Sequence, residues 1–366
     1  MKKQQAVKAV SFILLFLIMF SLTSKVLIRC AEDENTLSRV YSMYHTERKN
    51  SWSGTIIGAS TVYNGWIAPI AWHENGIALY PSSWPNMPFC LVLNVIKDVQ
   101  KRQNTDFFVV DIRSIRSLTE NYRDQYVRYV LDSMPMSLNR ADAIERSLDV
   151  LEQLHGEGSV QDDKLSYYIP FFKYHSRWSD LEKSDYVKFR SEMKGALQVP
   201  KNAFASKKQK RGNLTEECTA LNDLQAQYLM ELLDYAKEND LRMLFISMPV
   251  ARFDKGEQEV QNEAFRIIES YGYPVLNFNT EEMYAELELD FSTDYRDKRH
   301  LNSKGGKKFT VYLANYIKEN FDLEDLRGRE EYKDWDKAYE TYEAFYADGW
   351  AQKELEEQEK AKQGEE

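Results

Sequence analysis

Apolar and polar positions divide the chain into stretches of different rhythm. From Ala9 to Ser24 no residue is charged and Leu, Ile and Phe dominate, with Lys8 before the run and Lys25 after it. Residues 26–50 are largely polar and read as a tether. Short β-rich runs then alternate with longer segments of helical spacing. The runs are Thr55–Gly58, Gly76–Tyr80, Asp106–Ile112 (DFFVVDI), Arg242–Met248 (RMLFISM) and Pro274–Phe278. Between and after them, Pro88–Lys101, Leu221–Asn239, Glu257–Tyr271 and Ser303–Asn320 carry apolar residues at helical intervals. Runs that stay apolar on both faces belong to strands covered on both sides. Strands alternating with helices predict an α/β fold, a three-layer α/β/α sandwich around a mainly parallel sheet.

Two parts stand outside this rhythm. Residues of about 113–215 form a polar and aromatic excursion that includes YYIPFFKYHSRW (167–178) and the basic run Lys207–Arg211. It is expected to be an insertion or lid over the strand ends, where clefts open in such sheets. The tail 326–366 is charged and helical in composition. Its aromatics (Tyr332, Trp335, Tyr339, Tyr342, Phe345, Trp350) suggest that its first part docks, and its last sixteen residues look solvated. The expected organisation is an N-terminal hydrophobic segment over 1–25, a tether over 26–50, a main domain over 51–325 and a C-terminal tail.

The first stretch changes the setting. About sixteen residues of helix reach roughly 24 Å, short of a hydrocarbon core of about 30 Å, and flanking lysines can snorkel across the difference. Lys2, Lys3 and Lys8 favour a cytoplasmic N-terminus, which places the body outside a cell membrane crossed once. A cleaved signal peptide, leaving a secreted protein, is the alternative, and a buried core helix the third reading. The net charge of -10 and a pI near 5.3 argue against a nucleic-acid partner, which requires a basic face. The three cysteines, Cys30, Cys90 and Cys218, are too scattered for a zinc site or a disulfide framework, and Cys90 reads as packed. No metal-ligand cluster or phosphate-cradling glycine loop stands out, so no cofactor is expected.

Two motifs carry candidate chemistry. Gly58-Ala59-Ser60-Thr61 follows the first strand directly. A serine at a strand-to-helix turn presents its hydroxyl at the sheet edge, and the helix start supplies N–H groups suited to an oxyanion. The plain alternative is a turn with Ser60 as helix cap. Asp297-Lys298-Arg299-His300 precedes the last domain helix. A D-x-x-H turn can bring a carboxylate against its own imidazole, orient the ring and stabilise the imidazolium formed in proton transfer. The plain alternative there is a capping turn on the surface.

In order and spacing the two motifs resemble the SGNH (GDSL-like) hydrolase superfamily. GASTVYNGWIAPIAWHENGIALY (58–80), KYHSRWSDLEKSDY (173–186), DFSTDYRDKRHLNSKGGKKFTVYLANYI (290–317) and YKDW (332–335) are similar to an exported, membrane-anchored bacterial subfamily that includes DltD and PatB-like accessory proteins. The resemblance implies Ser60 as nucleophile, His300 as general base, Asp297 as its orienter and the Ser60 N–H as one oxyanion donor. The superfamily's oxyanion glycine and asparagine are missing after the second and third strands. Pro81-Ser82-Ser83-Trp84-Pro85-Asn86 and Asp111-Ile112-Arg113-Ser114 stand there instead, leaving backbone N–H groups around Ser82 or Ser83, or the Asn86 amide, as stand-in donors. His175 and Arg177 are candidates for lining the cleft and binding an anionic or sugar substrate, with internal pairing as the alternative. Asp111 reads as a cap near the Ser60 loop. Trp66, Trp72 and Trp84 read as core, with sugar stacking as the alternative. His73 and Glu74 read as surface.

The function expected is an exported serine esterase or O-acyltransferase. It would act through an acyl-enzyme on acyl esters, acetyl above all, of a cell-envelope polysaccharide, beside a membrane-bound O-acyltransferase. A free-standing esterase competes with it. So does a non-catalytic scaffold that binds glycan or the acyltransferase.

Overall fold

The computed structural model describes residues 2–28, 44–160, 163–186, 191–196, 203–254 and 256–364. Most of the expected tether, and Cys30 with it, lies outside them.

Five strands form one sheet: β1 (Gly54–Gly58), β2 (Leu79–Ser83), β3 (Phe107–Asp111), β4 (Arg242–Ser247) and β5 (Val275–Asn277). Their order is β2-β1-β3-β4-β5 and every pairing is parallel. All residues of β1, β2 and β3 are buried, which explains apolar runs without alternation. The α/β sandwich read from the sequence is the fold observed.

One helical layer contains α2 (Ser60–Gly65), α3 (Ala68–Asn75), α9 (Ser303–Asn320) and α10 (Lys333–Gly364), which pack on one another. The other contains α4 (Val92–Gln103), α7 (Asp223–Glu238) and α8 (Glu257–Ser270), the crossovers between successive strands. Local chemistry sets their ends. Asn222 and Gln225 close a capping box on α7, and the Asn302 side chain accepts from Lys304 N and Gly305 N to start α9.

The second strand lies three residues later than its predicted place. Gly76, read as its first residue, is the left-handed cap of α3 with φ 68°. The strand includes Pro81, which is tolerated because β2 is an edge.

The expected lid is instead distributed over the body. Its α5 (Asp124–Leu131) and α6 (Leu138–His155) pack together, and α6 also packs on α4. Lys207 N and Gln209 N donate to the carbonyls of Tyr295 and Phe291, so the basic run follows the segment that leads to His300. Turns between Phe171 and Tyr186 pack against α1 (Lys2–Leu27). At the strand ends, Ile112–Ser117 from the start of the excursion packs against β1 and β4.

The tail docks as its aromatics suggested. Trp335 and Tyr342 are fully buried, Trp72 stacks on Tyr332 at 5.6 Å, and His73 stacks on Tyr339 at 3.8 Å. The final residues, expected to be solvated, continue α10 to Gly364. Trp66, Trp72 and Trp84 are core residues, each 1% exposed or less. Cys90 is packed against the Tyr122 hydroxyl at 3.3 Å, and burial pushes its thiol up to about 12.

Within α1, Lys3–Leu27 contains an 18-residue stretch with a mean hydropathy of 2.2 and is long and apolar enough to cross a membrane. Its apolar side chains from Val7 to Leu22 are mostly exposed, whereas Ser24 and Leu27, near its end, are buried.

Candidate active site

In a sheet of this order the chain leaves β1 in one direction for β2 and returns on the other side for β3. Helices therefore diverge at that point and leave a crevice beyond the strands' carboxyl ends. Ser60 follows β1 there, and Asp111 ends β3. Gly58 makes the close approach possible. A Cβ at that position would meet Val62 Cγ2 at 2.6 Å and Asp111 Cβ at 2.8 Å.

Asp111 ties the crevice floor together. One carboxylate oxygen accepts from Thr61 Oγ1 at 2.8 Å, and the other from Arg113 N at 3.2 Å and Met248 N at 3.3 Å. The start of α2 and the ends of β3 and β4 thus converge on one side chain. Complete burial raises its pKa, against the pull of Arg113 and the Thr61 hydrogen bond.

His300 arrives from the opposite end of the domain. Arg296 N donates to His300 O, Asn302 N donates to Asp294 O, and Tyr295 bridges Leu301, so residues 294–302 form a tight hairpin. Gly305 seats α9 against this hairpin, where a Cβ would stand 2.4 Å from Asp294 O. Thr310 Oγ1 donates to Gly65 O at 3.2 Å and accepts from Ile67 N at 2.9 Å, which fastens α9 to the end of α2. Backbone contacts of the two helices therefore set the meeting of the two motifs.

Ser60 Oγ lies 2.8 Å from His300 Nε2, across 240 positions of sequence. His300 Nδ1 is 2.9 Å from both oxygens of Asp297, and Asp297 Oδ1 also accepts from the backbone of Arg299 and of His300. Burial lowers the His300 pKa, opposed by the hydrogen bond and charge of Asp297, so the ring is neutral at pH 7. Burial pushes the Asp297 carboxyl up, but the His300 hydrogen bond and charge outweigh it and hold it far below the usual carboxylate range. An ionised carboxylate beside Nδ1 assigns the ring proton to that nitrogen and leaves the Nε2 lone pair for the Ser60 hydroxyl. The arrangement can withdraw the hydroxyl proton as oxygen attacks a carbonyl. The first N–H groups of α2, starting at Ser60, are those that a helix leaves without an intrahelical acceptor.

A cleft of about 320 Å³ reaches Ala59, the residue before Ser60, and is lined further by Asn86, Ser114, Arg116, Tyr122 and Asp254 among others. Of the stand-in donors, Asn86 lines this cleft and Ser83 does not. Ser83 pairs with Gly58 in the sheet, and its buried hydroxyl has no hydrogen-bond partner among the described residues.

His175 and Arg177 are elsewhere. Arg177 pairs with Asp185 at 3.0 Å and donates to Leu27 O at 2.7 Å, and His175 is exposed beside Phe171. Both belong to the turns that hold α1, a long-range contact that spacing in the excursion did not reveal.

The sequence reading missed a charged network behind the site. Arg113, Arg116 and Arg299 share the single carboxylate of Glu257, at 2.7, 3.5 and 3.3 Å. Burial raises the Glu257 pKa, but the three guanidiniums outweigh it and keep the group ionised. The signal available was Arg113-Ser114-Ile115-Arg116 directly after a buried strand in an acidic chain.

Among the described residues no cluster of His, Cys, Asp and Glu could hold a metal ion. No protein-family model matches the chain, and neither a curated protein nor a solved structure matches it.

Proposed function

We propose that the protein is a serine esterase or O-acyltransferase of the SGNH type. On this reading Ser60 is the nucleophile, His300 the general base and Asp297 its orienter. The observation that carries it is the unbroken contact from hydroxyl to imidazole to carboxylate at the rim of a cleft. His300 Nε2 takes the Ser60 proton as Oγ attacks the acyl carbonyl, and Asp297 stabilises the imidazolium. On this reading the Ser60 N–H and the Asn86 amide are the donors to the oxyanion. Collapse of the tetrahedral intermediate gives an acyl-Ser60 and an alcohol that leaves with the proton from His300. Water or a second hydroxyl then accepts the acyl group in the reverse sequence.

The apolar α1 supports an enzyme held at a membrane surface with its body on the exported side. That placement suits an ester carried by a cell-envelope polysaccharide, with a membrane-bound O-acyltransferase as a partner. The test is labelling of full-length protein by a fluorophosphonate probe. Labelling that is lost in Ser60→Ala supports the reading. A folded wild-type protein that resists the probe would favour the non-catalytic scaffold.

A further inference from the structure

We propose that the cleft beside Ser60 binds an anionic group of the substrate and that Arg116 selects it. This deepens the hydrolase reading and rests on it. The chain carries a net charge of -10, yet three arginines surround the carboxylate of Glu257 behind this cleft, and one of them, Arg299, also pairs with Asp254 of the lining. They are not equivalent. The Arg113 side chain is 2% exposed and makes the short contact, whereas Arg116 is 38% exposed and lines the cleft. Arg116 holds both Glu257 Oε1 and Asn86 Oδ1 at 3.5 Å, the outer limit of hydrogen bonding. A guanidinium has five donors in a planar fork that matches carboxylate or phosphate oxygens, so this one retains capacity for a ligand. Ala59 and Asn86 line the same space, so an anion on Arg116 lies beside the acyl group that Ser60 attacks.

Two p-nitrophenyl esters with the same leaving group test this, the neutral acetate and the succinate monoester with its free carboxylate. Wild type is expected to favour the succinate ester in kcat/KM. Arg116→Ala should lower that preference about ten- to hundredfold, the worth of a charge-assisted hydrogen bond, and Arg116→Lys should restore part of it. An unchanged preference in folded Arg116→Ala overturns the proposal. Calorimetry on Ser60→Ala protein tests the site without chemistry, using inorganic phosphate and succinate as probes. Binding that weakens in Arg116→Ala supports it, and the tighter anion tells phosphate from carboxylate. If neither binds, the anion site falls even where the esterase stands. If an anion binds but no ester turns over, only the hydrolase reading falls.

A second inference comes from the other end of the molecule. The geometry points to residues 171–186 as a membrane-interface element that rests in the bilayer beside α1. The uncharged run of α1 is shorter than a hydrocarbon core, so a bilayer that holds it reaches Lys8 on one side and Lys25 on the other. Phe20 precedes Lys25 by five residues, about 7.5 Å along the helix, which puts it at acyl depth. The Phe171 ring is 5.0 Å from the Phe20 ring, so it lies at the same depth. Around it the surface suits an interface. Trp178 is 74% exposed, Tyr186 63% and Phe172 47%, with Lys173 and Lys183 exposed beside them. Amphipathic aromatics and snorkelling lysines are the side chains that settle at a headgroup boundary. Arg177 fixes this element to α1 through Leu27 O, which makes the apolar surface of the helix continuous with it.

The test uses the full chain in liposomes. Cys30 and Cys218 are replaced by Ser, and an environment-sensitive fluorophore is attached at Trp178→Cys or, as a reference for the span, at Leu14→Cys. Nitroxide lipids are then added with the quencher at shallow or deep positions. Position 178 should be quenched best by the shallow label and position 14 by the deep one. Quenching at 14 without quenching at 178 overturns the proposal and leaves the patch to a protein partner. No quenching at 14 removes the span and this inference with it.

Discussion

Replacing Asp297 by Asn separates orientation from bulk. The side chain keeps its size, so the backbone bonds from Arg299 N and His300 N to Oδ1 can remain. What changes is the face presented to His300 Nδ1, now 2.9 Å from both carboxylate oxygens. An amide nitrogen turned there donates, the ring moves its proton to Nε2, and the lone pair that faced Ser60 Oγ at 2.8 Å is lost. The imidazolium of the transition state also loses its counter-charge. In a hydroxyl–imidazole–carboxylate relay that combination costs about 10⁴ in kcat, or ~5 kcal/mol of transition-state stabilisation. Half-exposure of the carboxylate keeps its contribution to stability small, so the melting temperature should hardly move. The assay is the steady-state release of p-nitrophenolate from the acetate ester, with circular dichroism as the control for folding. Turnover within about threefold of wild type would remove Asp297 from the relay.

Other outcomes follow from the same geometry. Because burial depresses the His300 pKa, kcat/KM should climb with pH, reach half its plateau below about pH 6.5 and be flat from neutrality upward. The same shift makes the protein bind fewer protons folded than unfolded, so its stability contribution is present above the ordinary histidine value and is lost on acidification; a midpoint above pH 7 in the rate profile contradicts this. Gly58→Ala should destabilise by about 1–3 kcal/mol in urea melts, because its methyl meets Val62 and Asp111. A displacement of Ser60 of about 1 Å should cost about a hundredfold in rate, and an unaltered rate would show the turn to be slack. Lys194→Met should leave fluorophosphonate labelling intact and cost about 3–5 kcal/mol, since Lys194 is buried between Glu47 at 2.9 Å and Asp334 at 2.5 Å; a neutral urea midpoint refutes the clasp.

The legible part of this protein was local. Each half of the site is a motif of four residues, and the elements that carry them announce themselves by pattern: the apolar β1, and α9 with its observed start and end at Ser303 and Asn320. Where the reading failed, the cause was long-range. Gly76 is compatible with a strand by composition, and only the path of α3 made it a left-handed cap. The 167–178 segment has the aromatics and basic residues of a binding lid, yet from Phe171 onward it packs on α1, about 150 positions earlier. Arg113 meets Glu257 across 144 positions, a pairing that no spacing rule encodes.

What separates the Ser60 site from an incidental meeting of polar side chains is where the molecule leaves charges buried and what they face. The protein has another buried ionic cluster, Lys194 with Glu47 and Asp334, which is as well paired as anything near His300. That cluster joins the end of the tether, the excursion and the tail, and its lysine is 2% exposed, so its chemistry ends in its own partners. At the switch point the logic is reversed. A neutral imidazole, an ionised carboxylate and a hydroxyl lie in line, but Ser60 remains partly open and the adjoining cleft is polar. Burying such groups costs stability that a hydrophobic core would not sacrifice, and the backbone anchors at Asp111, Gly305 and Thr310 hold them in place. Groups kept in register by the core and exposed only at their reactive end are suited to act on a bound molecule, whereas groups whose contacts close on themselves are suited to hold the chain.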